Sequence, residues 1–100
     1  MVRYHPLFDC DVREAAEWYD RRSPGLGDRF VEAVRVAVDS VIENPDTFSF
    51  SPAGVRYART AKFPYVVLFD IEGESLSILG VLHTARSRDK WRERLGDRPE

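Results

Sequence analysis

Ser23-Pro24-Gly25 interrupts an apolar pattern of helical period that otherwise runs from Phe8 to Ile42. Before the break, Phe8, Val12, Ala15, Ala16 and Tyr19 recur at spacings of three and four, which makes one apolar stripe. After it, Leu26, Phe30, Ala33, Val34, Ala37 and Val41 lie on one helical face, with Val31, Val38 and Ile42 beside it. Proline and glycine in so short a link predict two antiparallel helices joined as a hairpin. Asp9 or Asp11 is the expected cap of the first helix, and Arg21 and Arg22 suit its C-terminal dipole end. The second helix is expected to begin near Leu26 to Asp28 and to stop at Asn44-Pro45.

The flanks read differently. Val2-Arg3-Tyr4-His5 alternates as a short strand ended by Pro6. Residues 45–54 read as a loop with Phe48 and Phe50 turned inward. Val55 to Arg59 is expected as a strand, and the β-branched and aromatic run Tyr65 to Ile71 as a strong one. Glu72-Gly73-Glu74 is the turn into a long apolar strand, Leu76 to His83. Trp91 and Leu95, four apart, suggest a last helical turn or two. The fold class is therefore α+β in one domain. An N-terminal strand and an antiparallel helix hairpin pack on one face of a small antiparallel sheet, followed by a short helical tail. The opposite sheet face is expected to be uncovered and open to a ligand or partner.

Charge is uneven along the chain. Residues 1–50 carry 6 Lys+Arg against 10 Asp+Glu, and residues 51–100 carry 9 against 7. Within 83–98 six side chains are basic, Arg86, Arg88, Lys90, Arg92, Arg94 and Arg98, against three acidic. An acidic partner is expected at that end, whether nucleic acid, acidic peptide or acidic protein face. Cys10 is the only cysteine, so no intrachain disulfide forms, which fits a reducing cytosol. No apolar run follows Arg3 as a signal peptide requires, and no stretch has transmembrane length. Two histidines and one cysteine, far apart, make no transition-metal site, and no cofactor is expected.

Three groups of residues bear on chemistry. Pro24-Gly25-Leu26-Gly27 lacks the Lys-Ser/Thr of a phosphate loop and follows a helix, so its glycines read as backbone freedom at a tight turn. Arg56 and Arg59 are three apart, so on a regular strand they face opposite sides. With Lys62 they read as a charged strand edge that discourages pairing, and Arg59 reads equally as a functional cation. His83 and Arg86 could serve RNA cleavage, with the histidine taking a 2′-hydroxyl proton and the arginine holding the phosphate. The alternative is that His83 bonds backbone at the strand end and Arg86 pairs with an acid of the hairpin.

Taken in order, these phrases resemble one family. Trp18-Tyr19, Pro24 to Phe30, Arg59 ahead of Phe63-Pro64-Tyr65, Val81-x-His83-x-x-Arg86, and Trp91 together resemble the ParE branch of the ParE/RelE toxin superfamily. The resemblance spans about Tyr4 to Trp91. It implies a cytoplasmic toxin of a type II toxin–antitoxin pair, with growth inhibition and plasmid stabilisation as its expected setting. It also implies a cognate antitoxin that wraps the toxin in a hetero-oligomer, with no membrane partner. Val12, Tyr19, Phe30, Val34 and Val38 are the expected antitoxin-binding residues. ParE-like members poison DNA gyrase by protein contact, and here Arg86, Arg88, Lys90 and Trp91 would make that contact. RelE-like members cut mRNA in the ribosome, and there Arg59, His83 and Arg86 would be catalytic. RelE-like members tend to place an arginine after the first aromatic of the central strand and a tyrosine near the C-terminus. Here Val66 follows Tyr65, and no tyrosine lies beyond it. An inactive antitoxin-binding relic is the third reading.

Overall fold

The computed structural model of the chain describes residues 1–52, 54–86 and 88–96, with Arg88 described through its backbone alone. The order is β1 (Val2–Tyr4), α1 (Phe8–Arg22), α2 (Leu26–Glu43), a 3-10 turn (Pro45–Thr47), β2 (Arg56–Arg59), β3 (Tyr65–Glu72), β4 (Ser75–His83) and α3 (Arg88–Gly96). The helix hairpin, the strands and the short tail helix form where the sequence patterns put them.

The four strands stand in the order β1-β4-β3-β2. β2, β3 and β4 form an antiparallel meander, and Gly73 takes a left-handed φ of 61° in the β3–β4 turn, where an L side chain would be strained. The sheet is mixed, however, rather than wholly antiparallel. β1 lies parallel to β4, with Val2 opposite Leu76 and Tyr4 opposite Ile78. The hairpin is the crossover that lets a parallel partner return.

Two cores form, one on each sheet face. Under the hairpin, Ala15, Tyr19, Phe30, Val34, Ala37 and Val41 meet Ala58, Val67, Phe69, Ile78 and Val81. Three of the sequence phrases converge there as one aromatic cluster. Tyr19 lies 4.9 Å from Phe63 and 5.4 Å from Phe30, and Phe30 lies 4.9 Å from Tyr65. On the other face Val55, Val66, Leu68, Leu79 and Leu82 are buried, with Tyr57, Trp91 and Leu95 packed on them. That face, expected from sequence to be open, is covered instead, because α3 lies over it. Phe50 is also corrected: it is 62% exposed and its ring meets the Arg56 guanidinium at 4.2 Å, while Phe48 alone packs inward.

A bulge in β4 joins these layers. Leu68 pairs with Gly80, and the next residue, Phe69, pairs with Ile78, which leaves Leu79 extra. β1 extends only to the bond from His5 N–H to Ile78 O, at 2.8 Å. Beyond it the β4 edge is satisfied by side chains. Asp11 Oδ2 accepts the Val81 N–H at 3.1 Å, and Arg94 Nη1 donates to Leu79 O at 2.9 Å. Asp11 is therefore not the cap of α1. The residue preceding that helix is Leu7, with no side-chain cap, and the Leu7 N–H goes to His5 Nδ1 at 3.0 Å.

Candidate functional site

Three surfaces border the helix hairpin. The first is a groove of about 560 Å³ between α1 and α2, lined by Phe8, Val12, Ala16, Val31, Val34 and Val38 with a mixed-charge rim. Of the residues expected to bind an antitoxin, Val12, Val34 and Val38 line this groove. Tyr19 and Phe30 do not. They are 8% and 0% exposed, turned under the hairpin into the aromatic cluster. The sequence stripe merged two adjacent faces of each helix.

The second surface is a smaller cleft, about 230 Å³, at the C-terminal end of β4. Glu14, Trp18, Tyr65, His83, Arg86 and Lys90 line it, with the buried Asp11 at its base. His83 pairs with Tyr65 across β3 and β4, and the two rings meet at 5.2 Å. His83 Nδ1 accepts two backbone bonds, from Ala85 N–H at 3.0 Å and Arg86 N–H at 3.1 Å. Burial first, and the Arg86 charge second, hold this imidazole below its ordinary 6.5. A neutral imidazole has one acceptor nitrogen, so its proton is assigned to Nε2. Arg86 Nε approaches Nε2 at 3.3 Å with hydrogen-bond geometry, so with this tautomer two N–H groups would face each other, and the contact is a bond only in the other tautomer. The histidine closes the turn after β4, as one of the two sequence readings held.

Arg86 is exposed, and its guanidinium stands 5.3 Å from the Trp18 ring. It does not pair with an acid of the hairpin among the described residues. Burial raises the Tyr65 hydroxyl, and the Arg86 charge works against that rise. Lys90 is exposed and lies 3.8 Å from Glu14. Trp91, expected to meet a target, is instead packed against the second core. The Arg88 side chain lies outside the described residues.

Arg59 is exposed on β2, opposite Val66, and so shares the α3 face of the sheet. His83, opposite Tyr65, shares the hairpin face. Two strand spacings, about 10 Å, and the sheet itself separate the two side chains. Arg59, His83 and Arg86 do not converge on one reacting group.

The third surface is an apolar hollow beside α2, lined by Leu26, Arg29, Ala33, Val36, Phe63 and Pro64 among others. Near it the glycine-rich phrase has two duties. Gly25 supplies a left-handed φ of 88°. Gly27 permits close approach, since a Cβ there would stand 2.6 Å from Asp20 Oδ2. Asp20 Oδ1 accepts the Gly27 N–H at 2.7 Å, so a carboxylate already occupies the α2 N-terminus where a phosphate would sit. No group of three or more His, Cys, Asp or Glu able to hold a metal occurs among the described residues. No helix among them is long and apolar enough to cross a membrane.

A family model described as "ParE toxin of type II toxin-antitoxin system, parDE" matches residues 2–88. The chain belongs to the ParE toxin family. The fold agrees: a solved structure titled "Chromosomal ParDE TA system from P. aeruginosa" superposes with a TM-score of 0.71 at 16% identity. The match covers 82% of this chain and 92% of that one. The search of curated proteins returned no match. Most of α3 lies beyond the residues that define this ParE-family match, yet α3 completes the second core and supplies Arg94.

Sequence reasoning missed Asp11, Asp20, Gly27, Gly80 and Arg94 as structural determinants. One signal was present for Asp11. It stands four residues before Ala15 and eight before Tyr19, on the buried face of α1. Arg94 carries no comparable signal.

Proposed function

We propose that this ParE-family chain is the toxin of a type II pair, that it acts by protein–protein contact, and that DNA gyrase is its target. The observation that carries the reading is the state of His83. Its Nδ1 is committed to two backbone donors, and its Nε2 faces the Arg86 guanidinium at 3.3 Å. With N–H donors against both nitrogens, the ring is poorly placed to take a proton from a 2′-hydroxyl. Arg59 lies on the far face of the sheet. What remains on the surface at the cleft is the Arg86 guanidinium and the Lys90–Glu14 pair, beside an aromatic ring. That is equipment for recognition rather than for general base catalysis.

The cognate antitoxin occupies the α1–α2 groove with an amphipathic helix, its apolar face on Val12 and Val31, above the buried Val34 and Val38 of the groove floor. Toxin and antitoxin then form a hetero-oligomer in the cytoplasm.

Inducible expression without antitoxin tests this, with DNA damage response and mRNA integrity followed together. Arrest with DNA damage and intact mRNA is expected, as is inhibition of purified gyrase supercoiling. Codon-positioned mRNA breaks would overturn the reading in favour of an endoribonuclease. No arrest at all would leave an antitoxin-binding relic.

A further inference from the structure

Two guanidinium groups share one indole at the rim of the β4 cleft. Arg22, the last residue of α1, places its Cζ 3.5 Å from the Trp18 ring centroid, one helical turn away. Arg86, from the turn after β4, approaches the same ring at 5.3 Å. Both arginines are exposed. Neither makes an ion pair among the described residues.

Several of the other cations are already engaged. Arg35 is held by Glu32 and Asp39, Arg94 by Asp11, and Lys90 stands beside Glu14. Arg56 is spent on the carbonyls of Asp46 and Phe48. Arg22 and Arg86 are instead steered by an aromatic ring that does not neutralise them. Stacking restricts a long side chain before any ligand arrives, so less entropy is lost on binding.

We infer that Arg22, Trp18 and Arg86 form one anion-recognition platform whose ligand is a carboxylate side chain of an acidic protein segment. This rests on the reading that the toxin acts by protein contact. It moves the recognition surface from α3 to the junction of α1 with the β4 turn, and adds Arg22 and Trp18. The choice of carboxylate over nucleic acid follows from the surroundings. Glu14 lines the same cleft, and residues 1–50 carry 10 acidic against 6 basic side chains. An extended polyphosphate needs several adjacent cations and would meet these acids. A short acidic segment presents its charge at one place and can lay an apolar stem on the indole.

Two experiments decide it. In the first, heteronuclear NMR follows titration of the full chain with hexaglutamate peptide. The Trp18 indole N–H and the Nε–H of Arg22 and Arg86 are expected to shift together, and Arg22→Glu should abolish the response while the remaining spectrum is preserved. Shifts confined to other cations would overturn the inference. So would stronger binding of a hexanucleotide at the same groups. In the second, growth arrest is titrated by induction. Arg22→Glu should weaken toxicity roughly tenfold or more, and Arg22→Lys, which keeps the charge but loses the planar stack, should fall between. Full toxicity of Arg22→Glu would overturn this inference alone. Failure of the unmodified chain to arrest growth would instead overturn the toxin reading, and the peptide titration would still decide the platform.

Discussion

Arg94 and Asp11, 83 residues apart, meet as a two-pronged ion pair with both side chains 6% exposed, and Nη2 lies 2.8 Å from Oδ1. The pair fastens α3 to α1 around the edge of β4. It also satisfies Leu79 O and Val81 N–H, which the bulge and the short β1 leave without strand partners. Removing one partner leaves a buried charge and an orphan backbone group, which costs about 3–5 kcal/mol. Arg94→Ala and Asp11→Ala should each lower the unfolding free energy from urea denaturation by that amount. The double variant should lose clearly less than the sum, because the two share one interaction. Additive losses would show that the ion pair is not the fastening.

Gly80 is the second half of that device. A Cβ at this position would collide with the Arg94 guanidinium and stand 2.8 Å from Asp11 Oδ2. Neither group can retreat without losing its partner. Gly80→Ala is expected to destabilise by about 1–3 kcal/mol, within the range for overpacking a filled site. Introduced into the Asp11→Ala, Arg94→Ala background, the same change should cost far less. Thermal unfolding of these three variants and the unmodified chain measures that coupling.

The elements of this fold were legible because each has a local cause. Helical periodicity, the Pro24-Gly25 break and the β-branched run of β3 act within a few residues. The core under the hairpin follows from those elements, whereas the second core, on the face expected to be open, needed α3 to return over the sheet. What escaped is non-local. Whether β1 pairs parallel or antiparallel depends on where the hairpin returns the chain. The bulge at Leu79 comes from pairing between β3 and β4, and nothing in either strand alone marks it. The site was legible only in part for the same reason. His83 and Arg86 are near neighbours in sequence, whereas Arg22 meets them only through the ring of Trp18 that lines their cleft. The face of Arg59 needed the β2–β3 register.

The groove and the core make opposite predictions for neighbouring residues of α2. Phe30 is fully buried in the aromatic cluster, while Val31 is 43% exposed at the groove. Phe30→Ala should cost about 3–5 kcal/mol of stability. Val31→Glu should leave stability within about 0.5 kcal/mol, as surface changes usually do. It should nonetheless block capture of the toxin by co-expressed antitoxin, since a charge would enter the apolar contact. Antitoxin binding undiminished in Val31→Glu would remove this groove as the docking surface.

His83 gives the chain a pH dependence whose sign follows from its surroundings. Its folded pKa lies below the ordinary 6.5 because burial and the Arg86 charge both oppose protonation. The unfolded chain therefore takes up the proton first as pH falls. The stabilising contribution is present above the unfolded value and is lost between there and the lower folded value. Protonation also places a hydrogen on Nδ1, which ends the bonds from Ala85 and Arg86 N–H. In His83→Asn the side-chain oxygen can accept in place of Nδ1 but does not titrate. Stability of the unmodified chain should fall as pH goes from about 7 toward 5, more steeply than that of His83→Asn. The imidazole C–H resonances should report a midpoint below 6.5 for His83. A midpoint above that value would mean the ring is charged in the folded chain, with a donor where the turn needs an acceptor.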